Sequence, residues 1–346
     1  MRMSGRTNRK GGDSMLNRMS RTVVCIGIAV ALWTGNIARA GEKYEICAGA
    51  FGSVTYQLSF AVSEILKQAA PRYELLPVET SGAAASVIKG AAKPDRMPMA
   101  YGALTFRMAS QGKPPFPKAY PNLKVLGFAT RNVQTLITYD PGIKTLADLK
   151  GKRIGMSIRP SVCGMDHWNI ISKGIEDGGK TTPSYMNWSA LQSSLMDGAI
   201  DVAALGVSST PSGSWMPLSM YAELVASKGV PYFLNIDASC IERAAQESGL
   251  PYVPVIMPQG AISENVPDRD ITAWEERIGI MAFAEMSEEL TYTITKILCE
   301  NREDIARLSP VGRNMSLEIT VPDKDFLADD QLHPGALRYY REKGLR

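Results

Sequence analysis

The chain has 346 residues, 45% of them hydrophobic and 21% charged, with a formal net charge of +3. That length and composition suit a globular protein of two domains and exclude disordered and fibrous classes. Seven of the 38 basic residues and one of the 35 acids precede residue 41, so the remainder carries 31 bases against 34 acids. The slight basicity therefore belongs to the N-terminal segment, and no nucleic-acid partner is implied.

That segment reads as a secretory signal. Arg18 and Arg21 precede the apolar run Val23–Gly35, interrupted only by Thr34, and Ala38–Arg39–Ala40 supplies small residues for cleavage after Ala40. A buried helix would not need a basic flank followed by an A-x-A exit. Met15 and Met19 are alternative starts, and the residues before Cys25 do not form a lipid-attachment pattern. No segment after residue 40 reaches the roughly 18–20 apolar residues a membrane-spanning helix needs.

Strands are expected at Tyr44–Ala48, Tyr73–Pro77, Met97–Leu104, Leu123–Ala129, Val133–Tyr139, Arg153–Met156, Asp201–Gly206 and Val253–Met257. Helices are expected at Leu58–Ala70, Lys144–Leu149, Val162–Glu176, Ser189–Ala199 and around Met216–Ala226, with Glu275–Asn301 read as one long helical stretch. Residues 109–122 form a proline-rich surface loop. This alternation predicts an α/β fold with largely parallel sheets.

In open α/β sheets, ligands bind where strand ends turn into helices. Three loops have that form: Gly49–Tyr56, Thr80–Ala83 and Ser157–Ser161. Each puts small or hydroxyl residues before an apolar-periodic helix, where free N–H groups and the helix dipole favour an anion. The plain alternative is that each serves only as a helix cap. Arg159 in the third loop can grip a carboxylate bidentately, or it can simply be a solvated surface arginine.

An enzyme reading rests on Cys163 and His167, four residues apart and so on one helix face. No third orienting residue accompanies them, and no G-x-S-x-G elbow, Walker loop or G-x-G-x-x-G fingerprint occurs. The two histidines, His167 and His333, are too few for a His-based metal site. Cys47, Cys163, Cys240 and Cys299 could pair in three ways, and spacing chooses none. No metal or cofactor is expected.

The C-terminal run His333–Pro334–Gly335–Ala336–Leu337–Arg338–Tyr339–Tyr340 with Glu342 and Gly344, the segment Gly142–Ile154 and the segment Asp197–Gly206 together resemble the TAXI family of solute-binding proteins. So does the late stretch 290–301, and the resemblance extends over residues 44–346. These are extracytoplasmic receptors of tripartite ATP-independent periplasmic (TRAP) transporters. The resemblance implies two α/β lobes in a periplasmic-binding-protein fold, with a hinge and an interdomain cleft. Lobe I would be 41–137 plus 257–346, and lobe II 138–256. It implies a small organic anion as ligand, an amino acid such as glutamate or a dicarboxylate, and membrane subunits of a TRAP transporter as partners. The protein would be periplasmic, monomeric and not an enzyme.

The loops depart from the family pattern. Its Tyr-Tyr-Pro becomes Thr55–Tyr56–Gln57, its Gly-Ser…Asn becomes Gly82–Ala83…Ser86, and its Gly-Pro-Pro-Gly-Ser-Gly-Thr becomes Ser157–Cys163. Tyr56, Gly82 and Ser161 are what carries over. The expected ligand contacts are Ser53, Thr55, Tyr56, Ser81, Gly82, Tyr101 and Asn132 from the first lobe and its crossover, facing Ser157, Arg159, Ser161, Gly206 and Ser208. His333 and the paired tyrosines are expected to dock the tail.

Overall fold

A computed structural model describes residues 1, 5 and 41–346 apart from 50, 52, 160, 181, 211 and 212. The secretory-signal reading lies outside the described residues. Glu42–Arg346 forms one compact unit.

The first part of this unit alternates strand and helix: β1 Glu42–Ala48, α1 Val54–Ala69, β2 Tyr73–Glu79, α2 Ala83–Ala92, β3 Met99–Gly102 and α3 Ala103–Gln111. The first helix begins where it does because Ser53 accepts the Tyr56 N–H at 3.2 Å, satisfying one free donor of the first turn. Its buried face is Leu58, Ala61, Val62, Ile65 and Leu66, at helical spacing. Then comes β4 Leu123–Thr138, a single strand of 16 residues.

The second part holds β5 Ile154–Met156, α4 His167–Ile171, β6 Ser184–Tyr185, α5 Trp188–Met196, β7 Val202–Ser209, β8 Trp215–Pro217, α6 Ser219–Lys228, β9 Tyr232–Phe233, α7 Ala238–Ser248 and β10 Val253–Met257. β11 Ile271–Phe283 returns through the sheet. α8 Glu288–Glu300, α9 Arg302–Leu308, α10 Leu317–Thr320 and α11 Pro334–Glu342 complete the chain.

Among the described residues the strands join in one sheet, ordered β2-β1-β3-β11-β4-β7-β5-β6. β1 pairs parallel with β2 and β3, and β5 pairs parallel with β6 and β7. Between these two parallel groups run β4 and β11, antiparallel to each other. The outer half of β11 pairs with β3, while the later half of β4 pairs with β7. Two parallel α/β groups joined by a pair of long antiparallel strands is the architecture expected of a periplasmic binding protein. One apolar cluster runs from Tyr44 to Tyr340 and takes in Ile154, Met156, Ile170 and Tyr252; a second gathers Ile137, Leu191, Leu205, Tyr221 and Phe233.

The structure corrects several elements. Residues 271–283, expected in part to begin a helix, form the central strand β11; only Glu288–Glu300 is helical. The apolar run Ile278–Phe283 is buried on both sides, and such a run has no period that separates strand from helix. Gly279 shows what the strand position demands: a Cβ there would lie 2.0 Å from the Gly127 carbonyl oxygen. The two strands expected around Thr130–Asn132 are one, because this polar stretch pairs with both β7 and β11. The expected helix at 144–149 is a 3-10 turn, Leu146–Leu149, held by Asp148 accepting the Thr145 N–H at 2.9 Å. The expected helix at 162–176 breaks into a π-helical turn Val162–Asp166, α4, and a 3-10 turn Ser172–Gly174. The third strand stops at Gly102, where α3 begins.

The C-terminal segment docks the tail, as expected. The His333 imidazole Nδ1 accepts the Gly335 N–H at 3.2 Å and lies 2.9 Å from the Thr291 hydroxyl. Tyr340 is fully buried and donates its hydroxyl to Leu126 O at 2.6 Å and Thr320 O at 3.2 Å.

Candidate functional site

Parallel strands send their carboxyl ends the same way, so β1, β2 and β3 bring their loops together. Ser53, Thr55 and Tyr56 sit at the start of α1. The Ser53 and Thr55 hydroxyls are 3.1 Å apart, and Thr55 Oγ1 accepts the Gly49 N–H at 3.0 Å. Thr80, in the neighbouring loop, donates to Ala48 O at 2.6 Å and lies 2.5 Å from the Ser86 hydroxyl and 3.2 Å from the Tyr101 hydroxyl. This links Tyr101 on β3 to the loop carrying Ser81 and Gly82. Ser81 is exposed; Gly82 takes φ 137° as it leads into α2, a left-handed value that favours glycine. Phe51 stands at this rim, 79% exposed, with its ring 5.3 Å from that of Tyr56.

The second group forms around β5 and β6. Ser161 donates to Ile158 O at 2.6 Å and accepts the Gly164 N–H at 3.0 Å, so it caps the turn that follows. Ser157 is buried. Arg159 is exposed; its guanidinium lies 4.1 Å over the Tyr185 ring and an Nη2 donates to that hydroxyl at 2.9 Å. Among the described residues no carboxylate pairs with it. Three loops that the sequence singles out thus fall into two sets, one at each parallel group.

Register aligns the remaining expected contacts. Glu276 on β11 stands opposite Asn132 on β4, which stands opposite Ser208 on β7; Trp274, Gln134 and Gly206 align in the same way. Directly opposed residues in antiparallel strands point to one face. Asn132, Gly206 and Ser208 therefore share a face with Gln134, Trp274 and Glu276. Ser208 is tied to Thr130 by a 2.6 Å hydroxyl contact. The intervening residues alternate to the other face, where Glu275 holds Arg131 at 3.3 Å and Arg277 at 3.1 Å.

Sequence reasoning missed the centre of this face. Glu276 is buried and accepts the Leu104 N–H at 3.2 Å, at the first turn of α3. Burial pushes its carboxyl well above the usual range. Asp166 accepts the Tyr252 hydroxyl at 2.7 Å, yet burial pushes its carboxyl up to about 6. The Trp274 ring packs edge-on against Tyr252 at 5.4 Å and His167 at 5.9 Å. No periodicity marks a polar residue that two elements distant in sequence will enclose.

The Cys163–His167 pair does not form a nucleophile. Burial drives the His167 imidazole down to about 3, and among the described residues neither nitrogen has a hydrogen-bond partner. Packing around the sulfur and the nearby Glu276 push the Cys163 thiol up to about 12. All four cysteines after residue 40 are free thiols. Among the described residues no cluster of candidate metal ligands occurs, and no helix is long and apolar enough to cross a membrane.

A doubly grouped α/β sheet with paired crossing strands, and strand-end loops gathered on each group, defines a binding-protein-like scaffold. The chain belongs to the NMT1-like family, whose pattern matches residues 46–344. No curated protein matches it. Among solved structures it is similar to MatC from Rhodopseudomonas palustris with bound malate, at 12% identity over 87% of this chain and 98% of that one, TM-score 0.45. It is also similar to the periplasmic aliphatic sulphonate binding protein SsuA from Escherichia coli, at 13% identity over 88% of each chain, TM-score 0.43. A third is a TRAP periplasmic solute binding protein from Escherichia fergusonii, at 11% identity over 88% and 96% of the two chains, TM-score 0.40.

Proposed function

We propose that this protein is the exported solute-binding receptor of a TRAP-type transporter of the TAXI kind, holding a small organic anion between two hinged lobes. The lobes are 41–137 with 257–346, and 138–256, with β4 ending at the first boundary and β10 at the second. The observation that carries this reading is the placement of the strand-end loops. Ser53, Thr55, Tyr56, Gly82 and Tyr101 gather at one parallel group, and Ser157, Arg159 and Ser161 at the other.

In this reading Arg159 is held ready by Tyr185 and takes the acid group of the solute. Stacking on an aromatic ring leaves guanidinium N–H groups free for a bidentate contact. The solute touches both lobes only when they close, so its differential affinity selects the closed form that docks on the membrane subunits. The signal segment directs export, with cleavage after Ala40, and the protein carries out no covalent chemistry. Membership of the NMT1-like family and the C-terminal motif support the receptor class.

The test is a thermal-shift and calorimetric screen of small organic acids. Saturation at 100 times Kd raises stability by about 2.7 kcal/mol. Arg159→Ala is expected to leave the unfolding temperature of the free protein unchanged and to weaken the acid that binds by at least about tenfold. An acid that binds equally well to the variant removes the role given to Arg159. Absence of binding by any organic acid or amino acid removes the receptor reading.

A further inference from the structure

The edge of β11 away from β4 has a gap. β3 and β10 both pair antiparallel with β11 on that edge and run along it in the same direction. β3 stops at Gly102, opposite Ile278, and β10 starts at Val253, opposite Glu275. Among the described residues no strand stands beside Glu276 and Arg277 on that edge. The gap holds a recess of about 270 Å³, partly open to solvent. Its walls are Leu104 and Arg107 from α3, Pro251 and Val253 at the start of β10, Arg277 and Phe326, with Glu275 and Glu276 behind them. None of these residues is among the solute contacts proposed above.

Two guanidinium groups meet here at Phe326. Arg107 donates an Nη2–H to the Phe326 carbonyl, and the Arg277 guanidinium lies 4.1 Å over the Phe326 ring. The neighbouring acids do not balance them. Glu275 is buried and is answered twice, by Arg131 at 3.3 Å and Arg277 at 3.1 Å. Glu276 accepts the Leu104 N–H at 3.2 Å, and burial raises its carboxyl well above the usual range, so it supplies little negative charge. Arg107 is half-buried, burial lowers its pKa, and among the described residues no carboxylate pairs with it. Arg107 and Arg277 against Glu275 leave at least one positive charge in the recess without a counter-charge, and a half-buried charge in that state is costly.

We propose that this gap is a second binding site, for a monovalent halide ion such as chloride, held by Arg107 and Arg277. The chemistry selects the ion. The donors on offer are guanidinium N–H groups, and the other walls are the apolar Leu104, Pro251, Val253 and Phe326. An oxyanion such as phosphate would leave oxygens against apolar walls or beside Glu275, whereas a halide needs few donors and matches a single excess charge. The site also has a mechanical place. It lies between the end of a strand of the first parallel group and the start of β10, which leads back from the second. Lys113, just past α3, already ties these sides by donating to the Ser248 and Gly249 carbonyls, two residues before Pro251. A halide between Arg107 and Arg277 braces the same junction, and it favours the arrangement in which the recess is formed.

The experiment is chloride NMR line broadening on the purified protein, wild type and Arg107→Gln, with folding of the variant checked by circular dichroism. Glutamine keeps an amide N–H for the Phe326 carbonyl and removes the charge. Wild type is expected to broaden the chloride line saturably, and the half-saturating concentration is expected to rise at least about tenfold in Arg107→Gln. Equal broadening by both proteins, or none by wild type, overturns the inference. Crystals of wild type grown without halide and soaked in sodium bromide give a test that needs no variant. An anomalous peak within hydrogen-bond reach of Arg107 and Arg277 is expected, and its absence overturns the inference. A peak accompanied by unchanged broadening in folded Arg107→Gln means binding at crystal concentration only and also overturns it. The roles given to Arg159 and the solute stand apart from every one of these results.

Discussion

Asp166→Asn isolates the energetic consequence of burying charge on the central face. The wild-type carboxyl is buried and its pKa is raised from 3.8 to about 6, chiefly because it has left water. A shift of about two units corresponds to about 3 kcal/mol of penalty on the charged form. The native state therefore binds more protons than the unfolded chain between about pH 4 and 6. Stability from this group is highest at low pH and is lost as pH rises through 6. His167 and His333, held down to about 3 and about 4, act in the opposite sense and remove stability as pH falls below about 6.5. The raw pH profile mixes these effects, so the informative quantity is the difference between variant and wild type. Asparagine keeps an oxygen to accept the Tyr252 hydroxyl, and it never ionises. In urea unfolding followed by circular dichroism, Asp166→Asn is expected to be more stable than wild type by about 3 kcal/mol near pH 7.5, with the advantage shrinking toward zero near pH 4. A difference that stays constant across this range would refute the argument that Asp166 is buried against its charge.

Three further outcomes follow from individual contacts. Tyr340→Phe removes the hydroxyl shared by the Leu126 and Thr320 carbonyls in the core, and should cost about 1–3 kcal/mol in urea unfolding. Gly102→Ala puts a methyl 1.7 Å from a Glu276 carboxylate oxygen, so it should lower stability by about 1–3 kcal/mol, and Glu276→Gln should not rescue it because the amide fills the same space. Cys47, Cys163 and Cys299, with thiols pushed up to about 11, 12 and 12, should resist iodoacetamide near pH 8 in the native protein and react once urea is added. Native alkylation of any of the three would contradict its packing.

Much of the scaffold was readable from local pattern. The helical spacing of Leu58, Val62 and Ile65, and the hydroxyl at Ser53, give α1 its face and its start. The strands β1, β2, β5 and β7 stand within a few residues of where alternation and β-branching put them. The loops after them were legible for the same reason: a small or hydroxyl residue before an apolar helix has a local job. Asn132, Gly206 and Ser208 were also marked, although nothing local said they would align in register.

What the chain determined by itself was much of the succession of strands and helices and the capping residues, because each rests on contacts between near neighbours. What only tertiary structure decided was the strand identity of Ile271–Phe283, the single long β4, and the enclosed set Gln134, Asp166, His167, Trp274 and Glu276. A strand buried on both faces loses its alternation, and a polar side chain becomes costly only when a distant element takes away its water. Neither condition is written in any short window of sequence; both come from which segments end up against each other.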